Sequence, residues 1–197
     1  MYSLILDTSF RDIGVALYND EVLVDSVCYD AFRKQSELLV VEIKKMLEKN
    51  KVTPENLKII YVNNGPGSYT GIRMSLAVSK TFSFAYNTQI VLVSSLLAQV
   101  GFRKEKVLSL IDARADRAYM GIVENGIVTN EAVLSIEQII VFIQSHQNLP
   151  IVSNFQLGDI GTIHAKSGVV GIGELIGKIK PEKDPLRVEP FYFKEAV

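Results

Sequence analysis

Tryptophan is absent from the 197-residue chain, and cysteine and histidine are rare. The one cysteine, Cys28, has no second thiol with which to form an internal disulfide, which is consistent with a reducing compartment. No window approaches the roughly 18 consecutive apolar residues of a membrane span, and the N-terminus lacks the basic and apolar stretches of a signal peptide. We therefore expect a cytoplasmic protein without a membrane partner.

An excess of charge of either sign is also lacking. Acidic and basic side chains nearly cancel and leave a formal net charge of −1, so the totals demand neither nucleic acid nor an anionic membrane as a partner. A local basic patch could still contact RNA. Hydrophobic residues make up 48% of the chain, too many for a disordered protein, and its length suffices for one domain or two compact lobes.

The N-terminal part of the chain begins with a strand pattern. Apolar, β-prone runs at residues 2–6, 13–18 and 22–29 are separated by short turns, which predicts an antiparallel meander. The motif Asp7-Thr8-Ser9 lies at the first turn, where side-chain oxygens are free to point outward.

Helical spacing follows the meander. Apolar residues recur at helical intervals over residues 35–49, and a second helix is predicted over residues 72–86. Strands are predicted at residues 58–63 and 88–93. This alternation of strand and helix indicates an α/β fold.

The pattern restarts after residue 100. Strands are predicted at residues 106–111 and 118–123, and Glu124-Asn125-Gly126 is a hairpin turn signal. A capping box at Ser135 predicts the start of a further helix. Repeated glycines beyond this point dilute any helix near the C-terminus. We predict an N-terminal lobe over residues 1–100 and a smaller C-terminal α/β lobe over residues 101–197.

A glycine-rich loop joins the predicted strand 58–63 to the helix 72–86. Glycine permits close backbone approach and a helix N-terminus offers free N–H groups, so the loop is a candidate anion site. It lacks the lysine of a P-loop and the third glycine of a dinucleotide fingerprint. The sequence leaves open whether this loop is a structural turn or a ligand site. The loop residues are Gly65, Pro66, Gly67, Ser68, Thr70, Gly71 and Arg73.

The predicted helix after this loop carries a stripe of small residues. Ser75, Ser79 and Ser83 recur every four positions and therefore share one face. Small side chains allow another helix to approach closely. The approaching helix is either the chain's own helix 35–49 or a helix of a second subunit, and the residues alone do not separate the two.

Several motifs occur in a specific order and spacing over residues 1–125, with a further one at the C-terminus. They are Asp7-Thr8-Ser9, the stretch from Gly65 to Arg73, Val93-Ser94-Ser95-Leu96, Ile111-Asp112-Ala113-Arg114 and the ending Pro190-Phe191-Tyr192-Phe193-Lys194. Together they closely resemble the TsaB (YeaZ) family.

This resemblance implies a two-lobed α/β fold of the actin/hexokinase/Hsp70 (ASKHA) type with a shortened second lobe. It implies a non-catalytic subunit that is required for threonylcarbamoyl transfer to adenosine 37 of tRNA. Family members pair with the catalytic paralogue TsaD, act with the ATPase TsaE and form homodimers in isolation. The resemblance implies indirect engagement of tRNA and no cofactor of the chain's own, with ADP or ATP held at the interface with the paralogue.

The resemblance also places both pairings on the helices 35–49 and 72–86. At the start of the first helix, Lys34-Gln35-Ser36 replaces a His-Ser or His-Thr pair that is common in the family. The expected partner surface consists of Leu38, Leu39, Ile43, Met74, Ser75, Val78, Ser79 and Phe82.

The histidines do not suit the metal site of the catalytic relatives, which hold a metal through a His-x-x-x-His pair on one helix. Here His146 and His164 are far apart in sequence, so we expect no metal site. Nucleophilic catalysis is not expected either. Cys28 is expected to be a buried thiol, and Ser68 lacks the context of a nucleophile elbow.

Asp7-Thr8-Ser9 is the candidate for a residual nucleotide site. In actin-like folds the first hairpin faces a phosphate, and Asp7 could hold magnesium through water. No glycine accompanies the aspartate of Asp112-Ala113-Arg114 to form a second phosphate loop, which favours a degenerate nucleotide cleft. The alternatives are an active ATPase or small-molecule kinase of the same superfamily and a metalloprotease, which the shortage of histidine opposes.

Overall fold

Five strands form the first sheet of the computed structural model, which describes residues 1–146 and 148–193. They are β1 (Tyr2–Asp7), β2 (Asp12–Asn19), β3 (Val22–Asp30), β4 (Leu57–Asn63) and β5 (Gln89–Val93). Their order is β3-β2-β1-β4-β5. The antiparallel pairing of β1, β2 and β3 confirms the predicted meander, whereas β4 runs parallel to β1 and β5 parallel to β4. Lys194, in the family-like C-terminal motif, lies outside the described residues.

Two long helices, α1 (Gln35–Lys49) and α2 (Tyr69–Tyr86), cover one face of this sheet. Both helices were predicted, although α2 begins earlier than residue 72 because Ser68 acts as its N-cap and accepts the N–H of Gly71 at 3.2 Å. Their apolar sides and the sheet form one core. Its members include Leu4, Leu6, Ile13, Val15, Leu39, Ile43, Ile60, Val62, Ile72 and Leu76.

The second sheet also has five strands and carries one helix, α4 (Ile136–Ser145), on its surface. Its strands are β6 (Val107–Arg114), β7 (Arg117–Glu124), β8 (Ile127–Ser135), β9 (Ile151–Ser153) and β10 (Ile163–His164), in the order β10-β9-β6-β7-β8. The predicted hairpin turn is confirmed between β7 and β8, where Asn125 and Gly126 both have positive φ. Ser135 caps α4 through the predicted capping box.

Two short helices, α3 (Ser95–Ala98) and α5 (Gly168–Gly173), pack together in a second core between the two sheets, with α5 on the first sheet and α3 against the second. The glycines were expected to dilute any helix near the C-terminus, and the helix found there, α5, is only six residues long. A Cβ atom at Gly171 would overlap the carbonyl oxygen of Ala98, so the glycine lets α5 approach α3 at backbone distance. Because α5 follows β10 in the chain yet packs on the first sheet, the division at residue 100 stays a prediction.

The expectation of a buried thiol at Cys28 is also wrong, because this residue is exposed. It lies in β3, the edge strand of the first sheet, and every residue of this strand is exposed or partly exposed. Within residues 1–146 and 148–193, no helix has both the length and the apolar character required to cross a bilayer.

Candidate functional site

The turn after β1 places Asp7 in a cleft between the two lobes. One carboxylate oxygen, Oδ1, accepts the N–H of Ser9 at 3.0 Å and its hydroxyl at 2.6 Å. Burial raises the pKa of Asp7 above its ordinary value of 3.8, although hydrogen bonds from Ser9 favour the charged form. The surroundings of this half-buried carboxylate thus disfavour its charge.

Asn63, the last residue of β4, connects three parts of the site. Its Nδ2 donates to the Ser9 hydroxyl at 3.0 Å. Its Oδ1 accepts the N–H of Gly65 at 3.1 Å and the hydroxyl of Ser95 at 2.7 Å. Asn63 was not among the predicted site residues, and Ser95 was named only within a family-like motif. The signal was an amide side chain that ends an apolar strand directly before a glycine loop, since such a buried amide requires partners.

The glycine loop packs directly on the turn after β1. The Thr8 hydroxyl donates to the carbonyl of Gly71 at 2.7 Å, and the N–H of Ser68 donates to the carbonyl of Ser9 at 2.6 Å. A Cβ atom at Gly67 would overlap the Ser9 carbonyl, and one at Gly71 would overlap the Thr8 carbonyl. Close backbone contact therefore accounts for both glycines, and this favours the structural turn over the anion site.

The remaining loop residues divide between interior and surface. Gly65 and Pro66 are buried, and the carbonyl of Gly65 accepts the N–H of Ser95 at 2.7 Å. Ser68 and Thr70 are exposed at the start of α2. Arg73, which could have balanced a phosphate, instead hydrogen-bonds to the hydroxyl of Tyr69.

Tyr69 and Arg73 hold the end of the described chain against the loop. The ring of Tyr192 stacks on that of Tyr69 with centroids 5.1 Å apart, and the Arg73 guanidinium lies 5.0 Å from the centroid of the Tyr69 ring. The N–H of Phe191 donates to the carbonyl of Asn64 at 2.9 Å. The family-like ending Pro190–Phe193 thus contacts the glycine loop itself.

A cleft of about 470 Å³ lies beside Asp7 and is bounded by the N-terminus of α5. A Cβ atom at Gly168 would overlap Oδ2 of Asp7, so the backbone of α5 contacts the carboxylate. Lys166 precedes α5 and Glu174 follows it. The two side chains form an ion pair, with Nζ of Lys166 2.5 Å from Oε1 of Glu174. Glu174 also accepts the N–H of Phe102 at 3.1 Å.

Four residues of the expected partner surface are buried within the chain, so the structure does not present their side chains to a partner. Leu39 and Ile43 belong to the first core, and Ser75 and Ser79 are fully buried. The Ser79 hydroxyl donates to the carbonyl of Ser75 at 2.8 Å. The small serines therefore let α2 pack within the protein itself. Of the two possibilities left open by the sequence, this is packing inside the chain and not against a second subunit.

The other four residues of the expected surface, Leu38, Met74, Val78 and Phe82, are partly buried and pack against the same core. Different side chains of α1 and α2 carry the exposed apolar area. They are Val40, Val41, Tyr69, Phe84 and Tyr86, of which Phe84 is 81% exposed.

The two histidines lie on the second lobe. His146 is the C-cap residue of α4 and stacks on Phe142 with ring centroids 4.1 Å apart. His164 is exposed in β10. In the part of the chain that the structure describes, no group of three or more His, Cys, Asp or Glu side chains is arranged to hold a metal ion.

Comparison with known protein families identifies relatives of this chain. The family model described as "TsaD: tRNA N6-adenosine threonylcarbamoyltransferase" matches residues 27–162, more than half of the chain. The chain belongs to this family. The predicted resemblance to TsaB (YeaZ) proteins is also confirmed by curated relatives and by solved structures.

Two relatives and one structure illustrate the match. An uncharacterized protein of Mycoplasma genitalium is 26% identical over 100% of this chain and 96% of its own length. The tRNA threonylcarbamoyladenosine biosynthesis protein TsaB of Bacillus subtilis is 30% identical, but the match covers 65% of this chain and 58% of that protein. YeaZ from Pseudomonas aeruginosa superposes with a TM-score of 0.73 at 23% identity, covering 98% of this chain and 99% of that one. The predicted two-lobed α/β fold of the ASKHA type is thereby confirmed.

Proposed function

We propose that this protein is a non-catalytic partner subunit required for threonylcarbamoyl transfer to adenosine 37 of tRNA. It acts by dimerising with a catalytic TsaD-type paralogue, works with a TsaE-type ATPase and forms a homodimer in isolation. The family match and the name of the B. subtilis relative support the place in tRNA modification. The cytoplasmic location expected from the sequence stays a prediction.

The contact between α5 and Asp7 is the main observation that supports a non-catalytic role. Oδ1 of Asp7 is bound to Ser9, and Oδ2 abuts the backbone at Gly168. A magnesium-nucleotide complex at this turn would need a charged carboxylate that faces solvent or the metal's water shell. Here burial raises the pKa of Asp7, and the α5 backbone occupies the space beside Oδ2 of this carboxylate.

A partner surface on α1 and α2 is supported by the apolar side chains that these helices expose. Both helices pack on the same face of the first sheet and contact each other. Val40 on α1 and Phe84 on α2 are large apolar residues directed to solvent. Exposed apolar groups of this size mark interaction sites, and they replace the buried serines as the expected contacts.

The pairing is tested with purified protein and the TsaD-type paralogue of the same organism, by calorimetric titration. Phe84→Glu should weaken the heterodimer by more than tenfold, because a central apolar anchor typically contributes that much or more. Ile127→Glu is the matched control, since Ile127 is also a large apolar residue, 62% exposed, but lies on the second lobe. Equal affinities for all three proteins would exclude α2 as the docking surface.

The cellular role is tested by depletion of the protein and mass-spectrometric quantification of threonylcarbamoyladenosine in tRNA. The modification should fall, and re-expression of the wild-type chain should restore it. Unchanged modification would reject the proposed function. ATP hydrolysis by the isolated protein that Asp7→Ala abolishes would instead establish the alternative, an active ATPase or small-molecule kinase.

A further inference from the structure

A second, larger cleft of about 740 Å³ lies between the lobes and adjoins the first, with which it shares Phe10, Arg11 and Asn154, but Asp7 does not line it. Its first-lobe wall comes from residues 9–11 after β1, residues 32–33 before α1, the first two residues of α1, the glycine loop and the start of α2. The turn between β6 and β7 forms the opposite wall. Cavities of about 300–1,000 Å³ are typical of sites for ligands of nucleotide size or larger.

Three arginines line this cleft from both lobes: Arg11, Arg33 and Arg114. The charge of Arg11 is compensated, because its NH2 lies 3.0 Å from Oδ2 of Asp30. Among the described residues, neither Arg33 nor Arg114 forms an ion pair. The cleft therefore carries two uncompensated guanidinium groups in a protein whose net charge is −1.

One acidic residue shares the cleft with these arginines. Asp112 is oriented by local backbone contacts: its Oδ1 accepts the N–H of Arg114 at 2.8 Å, and its own N–H donates to Oδ1 of Asn154 at 2.9 Å. The carboxylate thus shapes the β6–β7 turn that presents Arg114. A single carboxylate against two free guanidinium groups leaves the cleft net positive.

Two phenylalanines in the same cleft are exposed to solvent. Phe32 is 51% exposed and Phe10 is 38% exposed. The guanidinium carbons of Arg11 and Arg33 lie 4.5 Å and 5.3 Å from the centroid of the Phe32 ring. Aromatic rings interleaved with arginines are the combination that binds single-stranded nucleic acid, because bases stack on the rings and phosphates meet the cations.

We propose that this cleft binds a single-stranded segment of RNA, with Arg33 and Arg114 at phosphates and Phe10 and Phe32 as stacking surfaces for bases. The inference rests on the proposed function, to which it adds a direct RNA contact by this subunit. A mononucleotide is a poorer fit, because the loop N–H of Ser68 that could cradle a terminal phosphate is already bonded to the Ser9 carbonyl.

The test is fluorescence anisotropy of the full chain with a labelled single-stranded RNA of about 12 nucleotides, a length within the range of single-strand binding sites. The double variant Arg33→Ala/Arg114→Ala should weaken binding at least tenfold. It should also reduce the slope of log affinity against log salt by about 1.4, because each single-strand phosphate contact contributes about 0.7. Phe32→Ala should weaken binding about tenfold at every salt concentration.

The matched control is Arg103→Ala/Lys183→Ala, which removes the same charge from exposed positions outside the cleft. Its affinity and salt slope should stay close to wild type, and thermal melting of all variants verifies folding. Absence of RNA binding, an equal loss in the control, or displacement of the RNA by equimolar AMP or ATP would overturn the proposal. So would equally tight binding of an acidic peptide.

The two proposals fail separately. Loss of tRNA modification on depletion, without RNA binding by the purified chain, would overturn the RNA cleft and leave the role as a partner subunit intact. RNA binding by the cleft with unchanged modification on depletion would reject the proposed function alone.

Discussion

A Cβ atom at Gly71 would overlap the carbonyl oxygen of Thr8, so the first turn of α2 lies directly against the turn after β1. The Thr8 hydroxyl reinforces this contact by donating to the Gly71 carbonyl at 2.7 Å. The two segments are far apart in sequence, and their backbones can meet only because residue 71 has no side chain.

Gly71→Ala should therefore destabilise the protein by about 3 kcal/mol or more, the upper end of the range for overpacked sites. The free energy of unfolding, measured by urea denaturation, checks this. Gly161→Ala is the control, because a Cβ atom there would meet no atom within 4 Å. A Gly71→Ala protein as stable as the control would contradict the close backbone contact.

Ser79→Trp should prevent stable folding and not merely disturb a partner contact. Ser79 is fully buried on the inner face of α2, and a bulky ring there would displace the core. Thr81→Trp introduces the same ring on the exposed side of the helix and should shift the melting temperature little. Normal melting of Ser79→Trp with impaired pairing would instead place Ser79 at a subunit interface.

Asp7→Asn should become increasingly stabilising, relative to wild type, as pH rises above about 4. Burial raises the pKa of Asp7 in the folded state above its ordinary value of 3.8, so the folded protein binds this proton more tightly than the unfolded chain. Protonation of Asp7 therefore adds to the free energy of unfolding. This contribution is fully present below pH 3.8 and is lost as pH rises through the pKa of Asp7 in the folded protein. Asparagine does not titrate, so the Asp7→Asn protein does not lose this contribution as pH rises.

Urea denaturation of both proteins from about pH 4 to pH 7 measures the effect. Asp7→Asn can keep the acceptor oxygen that binds Ser9, so the two proteins should be similar near pH 4 and should diverge above it. A wild-type protein that gains stability relative to Asp7→Asn as pH rises would show that the charged carboxylate is the favoured form.

Gly168→Ala and Asp7→Ala should be coupled in a double-mutant cycle. The methyl group that Gly168→Ala adds would overlap Oδ2 of Asp7, so this substitution alone should cost about 1–3 kcal/mol. Removal of the carboxylate should relieve part of that cost, whereas Asp7→Ala and Gly161→Ala should act additively. Additive effects for the first pair would mean that α5 does not rest on the carboxylate.

Much of the fold could be predicted because the relevant signals are local. The alternation of apolar residues in β1, β2 and β3, the helical spacing of α1 and the turn at Asn125 and Gly126 each depend on residues close together in the chain. The position of the glycine loop between β4 and α2 was predictable for the same reason. The motifs that pointed to the family are also short and contiguous.

The burial of single side chains was not predictable in this way. The sequence placed the serines of α2 on one face, but only the packing of α1 and the first sheet showed that Ser75 and Ser79 face inward. Cys28 is exposed because β3 lies at a sheet edge, and strand order is a property of the assembled sheet.

The sequence by itself determined the order of strands and helices from β1 to β5, the location of the loop and the family. The tertiary structure decided what surrounds Asp7. Asn63 bonds to Ser9 across 54 residues and to Ser95 across 32 residues, and α5 meets Asp7 from near the other end of the chain. Periodicity records which side of an element is apolar, whereas contacts between distant segments arise only when the chain has packed.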